Sequence, residues 1–104
     1  MNVNIQHITY PELQSWQAEN KDFQLIDVRE PDEHQAYNIG GKLLPLGDLV
    51  QRSEEIDFTV PVVFYCKRGI RSQIAIQRLA HKFPQAHFFN LQGGILPIRH
   101  SKAQ

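Results

Sequence analysis

The chain has a single cysteine, so it cannot form an internal disulfide. In a sequence of only 104 residues, the lack of a disulfide framework points to a reducing compartment, and the cytoplasm is the expectation. An excess of one charge is missing too. Eleven Lys and Arg residues balance eleven Asp and Glu residues, for a net charge of zero. Such a chain projects no long-range field towards nucleic acid or an anionic membrane, and neither is an expected partner. Any anion site must come from a local cluster. Long apolar runs are absent as well. The longest, Val62 to Tyr65 with its immediate flanks, is far too short to span a bilayer. The opening Met1-Asn2-Val3-Asn4-Ile5 lacks the charged and then apolar regions of a signal peptide. His7, His34, His81, His87 and His100 are scattered, with no second cysteine or helical pair beside them. Neither a metal site nor a cofactor is expected.

What is present suffices for one domain over residues 1–104, with one core and no repeats. Val3–Ile5 reads as a short strand. Thr9, Pro11 and Glu12 open a helix with Leu13 and Trp16 on one face. Phe23 to Val28 reads as a buried strand, and Glu30-Pro31-Asp32-Glu33 as a helix start, with Pro early and carboxylates at the positive end. Asn38-Ile39-Gly40-Gly41 is a turn, Leu43-Leu44 a brief strand, and Gly47 to Ile56 a further helix. Pro61 to Cys66 is continuously apolar and β-rich, as strands buried on both faces are. Ile76, Leu79, Ala80 and Phe83 then recur at helical spacing up to Pro84. His87 to Leu91 reads as the last strand, ended by Gly93-Gly94. Strands alternating with helices over short connections predict an α/β fold: a central parallel sheet with helices on both faces. Ligands of such sheets bind at the carboxyl ends of the strands, and Cys66 ends one.

The informative segment is Cys66-Lys67-Arg68-Gly69-Ile70-Arg71-Ser72. A helix starting near Ser72 turns its free N–H groups towards whatever precedes it. Lys67, Arg68 and Arg71 place three cations within five residues of the sulfur. Gly69 allows backbone conformations that let amides converge on one point. All three features favour a thiolate at Cys66. A cysteine serving only as a small buried apolar residue has no use for them.

This loop resembles the active-site loop of the rhodanese family, in the C-x-x-G-x-R-[ST] form of its single-domain members. Two further segments agree in order and spacing: Ile26-Asp27-Val28-Arg29-Glu30-Pro31 resembles the family's D-V-R-E-P stretch, and Leu91-Gln92-Gly93-Gly94-Ile95 its terminal L-x-G-G-[IW]. The resemblance covers nearly the whole chain. It implies a rhodanese-like fold in which loop amides encircle the Cys66 sulfur, and a sulfurtransferase that works through a Cys66 persulfide. The donor would be thiosulfate or a protein persulfide. The acceptor would be a thiol, cyanide or a sulfur-carrier protein, and with one cysteine it must be external. Lys67 and Arg68 would orient the anionic donor, with Gly69, Ile70 and Ser72 completing the substrate loop. Arg71 would meet substrate, or else pair with a carboxylate and brace the loop; the first is the expectation. Asp27 would support the site as an acceptor for loop amides or Arg71, and Arg29 through a structural ion pair.

The match has departures. Asn38 stands where the family often has a histidine before I-x-G-A, and Ile98 where a tryptophan often follows the glycines. Two other readings compete. Phosphatases of the same fold carry C-x-x-x-x-x-R; here the arginine comes one residue sooner, so the loop is small for a phosphoryl group. A non-catalytic binding or regulatory module of this fold would usually have lost the cysteine that this chain keeps.

Overall fold

The computed structural model describes residues 5–102. Five strands, β1 (Gln6–Ile8), β2 (Gln24–Asp27), β3 (Lys42–Leu43), β4 (Val62–Tyr65) and β5 (Phe88–Leu91), form one sheet in the order β1-β5-β4-β2-β3. Every pairing is parallel. Four α-helices connect and cover the strands: α1 (Tyr10–Ala18), α2 (Pro31–Ala36), α3 (Ile70–Ala80) and α4 (Leu96–Lys102). The expected strand at residues 3–5 begins outside the described residues; the first strand described is β1.

The β4 run Val62-Val63-Phe64-Tyr65 has all four side chains fully buried, because the central strand of a sheet covered on both faces has no solvent side. Val62 and Phe64 point to one face, where Ala75, Ile76 and Leu79 of α3 join Leu44, Leu49 and Ile56. Val63 and Tyr65 point to the other, against Leu13 of α1 and Ile95 and Ile98 around α4. Local signals start two of the helices. Thr9 and Glu12 form a capping box, with Glu12 N–H donating to the Thr9 hydroxyl and Glu12 Oε1 accepting from Thr9 N–H. Trp16 packs edge-on between Phe23 and Phe89. Pro31 opens α2 with Asp32 and Glu33 in its first turn.

Two expectations are corrected. Residues 47–56 form no α-helix: two 3₁₀ turns, Leu46–Asp48 and Ser53–Glu55, take their place. Gly47, Asp48 and Ser53 are poor helix formers. Leu46 with Leu49, and Ser53 with Ile56, bury pairs three residues apart, the spacing that a 3₁₀ turn places on one side. The helix after the cysteine begins at Ile70 rather than near Ser72, because Gly69 turns the chain directly into it.

Candidate active site

Cys66 leaves the sheet at the carboxyl end of β4 and is 1% exposed. The chain enters α3 through Gly69, whose φ of +89° lies in the left-handed region that favours glycine. This turn directs two amides at the sulfur. Gly69 N–H donates to Sγ at 3.1 Å and Ser72 N–H at 3.4 Å. Amides at a helix start have no carbonyl partner within the helix, so they are free to do this.

A second glycine turn holds the loop from behind. Ile95 N–H donates to the Cys66 carbonyl and Leu96 N–H to the Lys67 carbonyl, each at 3.0 Å. Gly94, at φ +67°, makes that approach possible: a Cβ there would sit 2.4 Å from the Lys67 carbonyl oxygen.

The side chains divide into two networks. On the β2 and α2 side, Asp27 is fully buried and accepts from Arg29 N–H at 3.0 Å, Nε at 2.9 Å and Nη2 at 2.7 Å. His34 Nδ1 adds a fourth contact at 2.8 Å. Among the described residues Asp27 makes no hydrogen bond to loop amides or to Arg71, the partners expected for it; it pairs with Arg29 and His34 instead. Arg29 is two residues away and folds back onto both carboxylate oxygens. The Arg29 guanidinium also donates to the Tyr37 carbonyl at 2.6 Å and lies 5.6 Å from the centre of the Tyr65 ring. Burial opposes its charge, but the Asp27 contacts outweigh burial and leave its pKa raised. Burial, reinforced by Asp27, pushes the Tyr65 phenol up to about 12. Tyr65 donates its hydroxyl to the Gly40 carbonyl at 2.8 Å, which ties the 38–41 turn to the sheet.

Arg71 makes a two-pronged pair with Glu33 of α2, at 2.7 and 2.9 Å. The Arg71 hydrogen bonds hold the Glu33 carboxyl down at about 2. Lys67 and Arg68 are exposed, and Ile70 is 64% exposed at the rim. Lys67 also lines a cavity of about 230 Å³ with Arg29, Glu33, Ile95 and Arg99.

On the opposite side the polar contacts are neutral. Ser72 Oγ lies 3.4 Å from Cys66 Sγ and donates to Asn90 Oδ1 on β5. Asn90 Nδ2 in turn donates to His7 Nδ1 on β1 at 3.1 Å. Ser72 and Asn90 are buried, and His7 is exposed. Glu33, Asn90 and His7 were absent from the expected site. The capping-box spacing from Glu30 marks Glu33 only as a helix-start acid, and Asn90 reads as one polar residue in a strand.

The family model for the rhodanese-like domain matches residues 9–100. The chain belongs to the rhodanese-like family. Among curated relatives, the thiosulfate sulfurtransferase GlpE of Coxiella burnetii is 33% identical over 72 residues, covering 67% of each chain. The uncharacterized protein YqhL of Bacillus subtilis is 44% identical over 72 residues, 68% of this chain and 56% of that one. The adenylyltransferase and sulfurtransferase MOCS3 of Drosophila ananassae is 30% identical over 79 residues, 68% of this chain. The chain thus spans little more than half of YqhL and 18% of MOCS3. Among solved structures, the reduced Bacillus anthracis CoADR-RHD superposes with a TM-score of 0.78 at 30% identity, over 88% of this chain and 16% of that one. A rhodanese-like domain protein from Staphylococcus aureus gives 0.77 at 25% identity, over 88% of both chains. The parallel sheet and its covering helices are those of rhodanese-like structures. No helix among the described residues is long and apolar enough to cross a membrane.

Proposed function

We propose that this rhodanese-like domain is a cytoplasmic sulfurtransferase that carries sulfur as a persulfide on Cys66. One observation carries the reading: the Gly69 and Ser72 amides both donate to the cysteine sulfur at the mouth of the parallel sheet. Donors placed in this way stabilise negative charge on sulfur before and after transfer. With thiosulfate as donor, the Cys66 thiolate attacks the outer sulfur. The new S–S bond forms as the bond to the sulfonate sulfur breaks, and sulfite departs with that electron pair. The persulfide keeps one negative charge. An external thiol, cyanide or sulfur-carrier protein then takes the terminal sulfur and regenerates the thiolate. Lys67 and Arg68, both exposed at the loop, orient the anionic donor and stabilise departing sulfite. Arg71 contributes its guanidinium to the donor, exchanging it from Glu33.

The test is intact-mass analysis after thiosulfate treatment. The protein is expected to gain one sulfur atom, to lose it to cyanide, and to gain none as Cys66→Ser. A folded protein that takes up no sulfur from thiosulfate or from a persulfide donor overturns the proposal. Sulfur uptake that survives Cys66→Ser overturns it equally.

A further inference from the structure

The neutral network beside the cysteine has a direction that follows from the orientation of the Asn90 amide. Asn90 Oδ1 can only accept, so the single Ser72 hydroxyl hydrogen goes to it. Ser72 Oγ therefore offers only lone pairs to Cys66 Sγ, 3.4 Å away, and the hydrogen between them belongs to the sulfur. Asn90 Nδ2 can only donate, so His7 Nδ1 accepts and a neutral His7 carries its proton on Nε2. Every link then points outwards: the thiol to Ser72, Ser72 to Asn90, Asn90 to His7. This arrangement suits a thiol. Once the sulfur is a thiolate or bears a second sulfur, it has no hydrogen to give, and the Ser72 lone pairs face those of the sulfur.

A reversed arrangement is available in the same space. The oxygen and NH₂ of an amide are nearly the same size, so Asn90 can turn over without changing the packing. Its Nδ2 then donates to Ser72 Oγ, which frees the hydroxyl hydrogen for the sulfur. Its Oδ1 faces His7, which must now carry the proton on Nδ1. For a neutral imidazole this is a change of tautomer, and His7 is exposed, so water can supply the lost partner at Nε2.

Resting on the sulfurtransferase reading for its chemistry, we infer that Asn90 is a positioning residue which sets the direction of a hydrogen-bond chain from Cys66 through Ser72 to His7, and that this chain reverses when the sulfur is deprotonated or persulfidated. Ser72 thereby accepts from the sulfur when it is a thiol and donates to it when it is a thiolate or a persulfide. Asn90 pays for neither state with an orphaned buried group, because each direction satisfies both of its amide atoms. The thiol proton leaves to solvent; only hydrogen bonds rearrange along the chain.

The experiment is nitrogen-15 NMR of the His7 ring in the whole protein, before and after thiosulfate, with intact mass measured on the same sample. The expected result is a neutral His7 protonated on Nε2 in the thiol form and on Nδ1 once the mass shows added sulfur. In Ser72→Ala the His7 tautomer no longer follows the sulfur. In Asn90→Asp, whose carboxylate only accepts, the Ser72 hydrogen stays away from the sulfur. At any one pH the ratio of thiolate to thiol, read from ultraviolet absorbance, should then fall roughly tenfold or more, the size of one hydrogen bond to a charged acceptor. Asn90→Asp in the Ser72→Ala background keeps the repulsion of its charge but has no Ser72 hydroxyl to redirect, so the fall should be roughly tenfold or more smaller there than in the Ser72 protein; equal falls would overturn the relay. An unchanged His7 tautomer in protein whose mass has increased overturns the relay and leaves the transferase reading intact. If no sulfur is added, the transferase reading fails. The relay is then decided in that sample by raising the pH until thiolate absorbance appears, when His7 must switch or the relay fails too.

Discussion

The two sides of the Cys66 loop are built from different chemistry. Towards α2 the contacts are ionic: Asp27 with Arg29, and Glu33 with Arg71, each a two-pronged pair. Towards β1 they are neutral, running through Ser72, Asn90 and His7. A two-pronged ion pair has one geometry and one polarity, so while it is made it holds a wall in place and cannot re-aim its hydrogen bonds at the sulfur; Arg71 reaches the donor only by leaving Glu33. Hydroxyl, amide and imidazole groups each donate or accept in more than one orientation, so the neutral side can adjust to a sulfur whose charge changes during turnover. The loop is braced on one side and adaptable on the other.

Asp27→Ala is expected to have the largest effect on this division, since it strands Arg29, 3% exposed, without its partner. Breaking a buried pair from one side costs about 3–5 kcal/mol, to be read from the urea midpoint. Asp27→Leu combined with Arg29→Met should recover most of it. A single variant as stable as the parent would show that the ionic side is not the rigid one. Gly94→Ala comes next, at about 2–4 kcal/mol for a left-handed alanine pressed onto backbone, because its Cβ meets the Lys67 carbonyl. It should also lower persulfide yield, as the loop is pushed forward. Glu33→Gln is the mildest, at about 1 kcal/mol for a partly solvated pair. Arg71 holds the Glu33 carboxyl at about 2, below its ordinary 4.5. A depressed acid contributes fully above its unfolded value and loses that contribution as pH falls through the folded one. Parent and variant should therefore differ above about pH 5 and converge towards pH 2. The variant also releases the Arg71 fork, so its KM for thiosulfate should fall; a rise would make Arg71 a brace only.

The parts of the fold legible in the sequence are those where one local signal acts alone. The unbroken Val62–Tyr65 run could only be a strand covered on both faces, and Thr9 with Glu12 could only start a helix. Residues 47–56 misled because burial at helical spacing is also satisfied by tight turns when Gly47 and Ser53 weaken the helix. The loop itself was readable because its parts are contiguous: Cys66, Gly69 and Ser72 lie within one turn and a helix start. Its supports were not. Arg71 meets Glu33 across 38 residues and Asn90 meets His7 across 83, and only the sheet order, which sets β2 beside β4 and β5 between β1 and β4, brings such pairs together. Asp27 carried the opposite lesson, since its partner proved to be its near neighbour Arg29 rather than the distant loop.

The clasp of Ile95 and Leu96 on the carbonyls of Cys66 and Lys67 has a topological consequence. It joins the chain to itself just before α3 and just after β5, so those two elements sit within a closed ring. Small proteins often make such rings by cross-linking two cysteines, at the cost of consuming both sulfurs. Here the ring closes through peptide groups alone. The cysteine at its junction takes part with its backbone carbonyl, and its sulfur stays free to react.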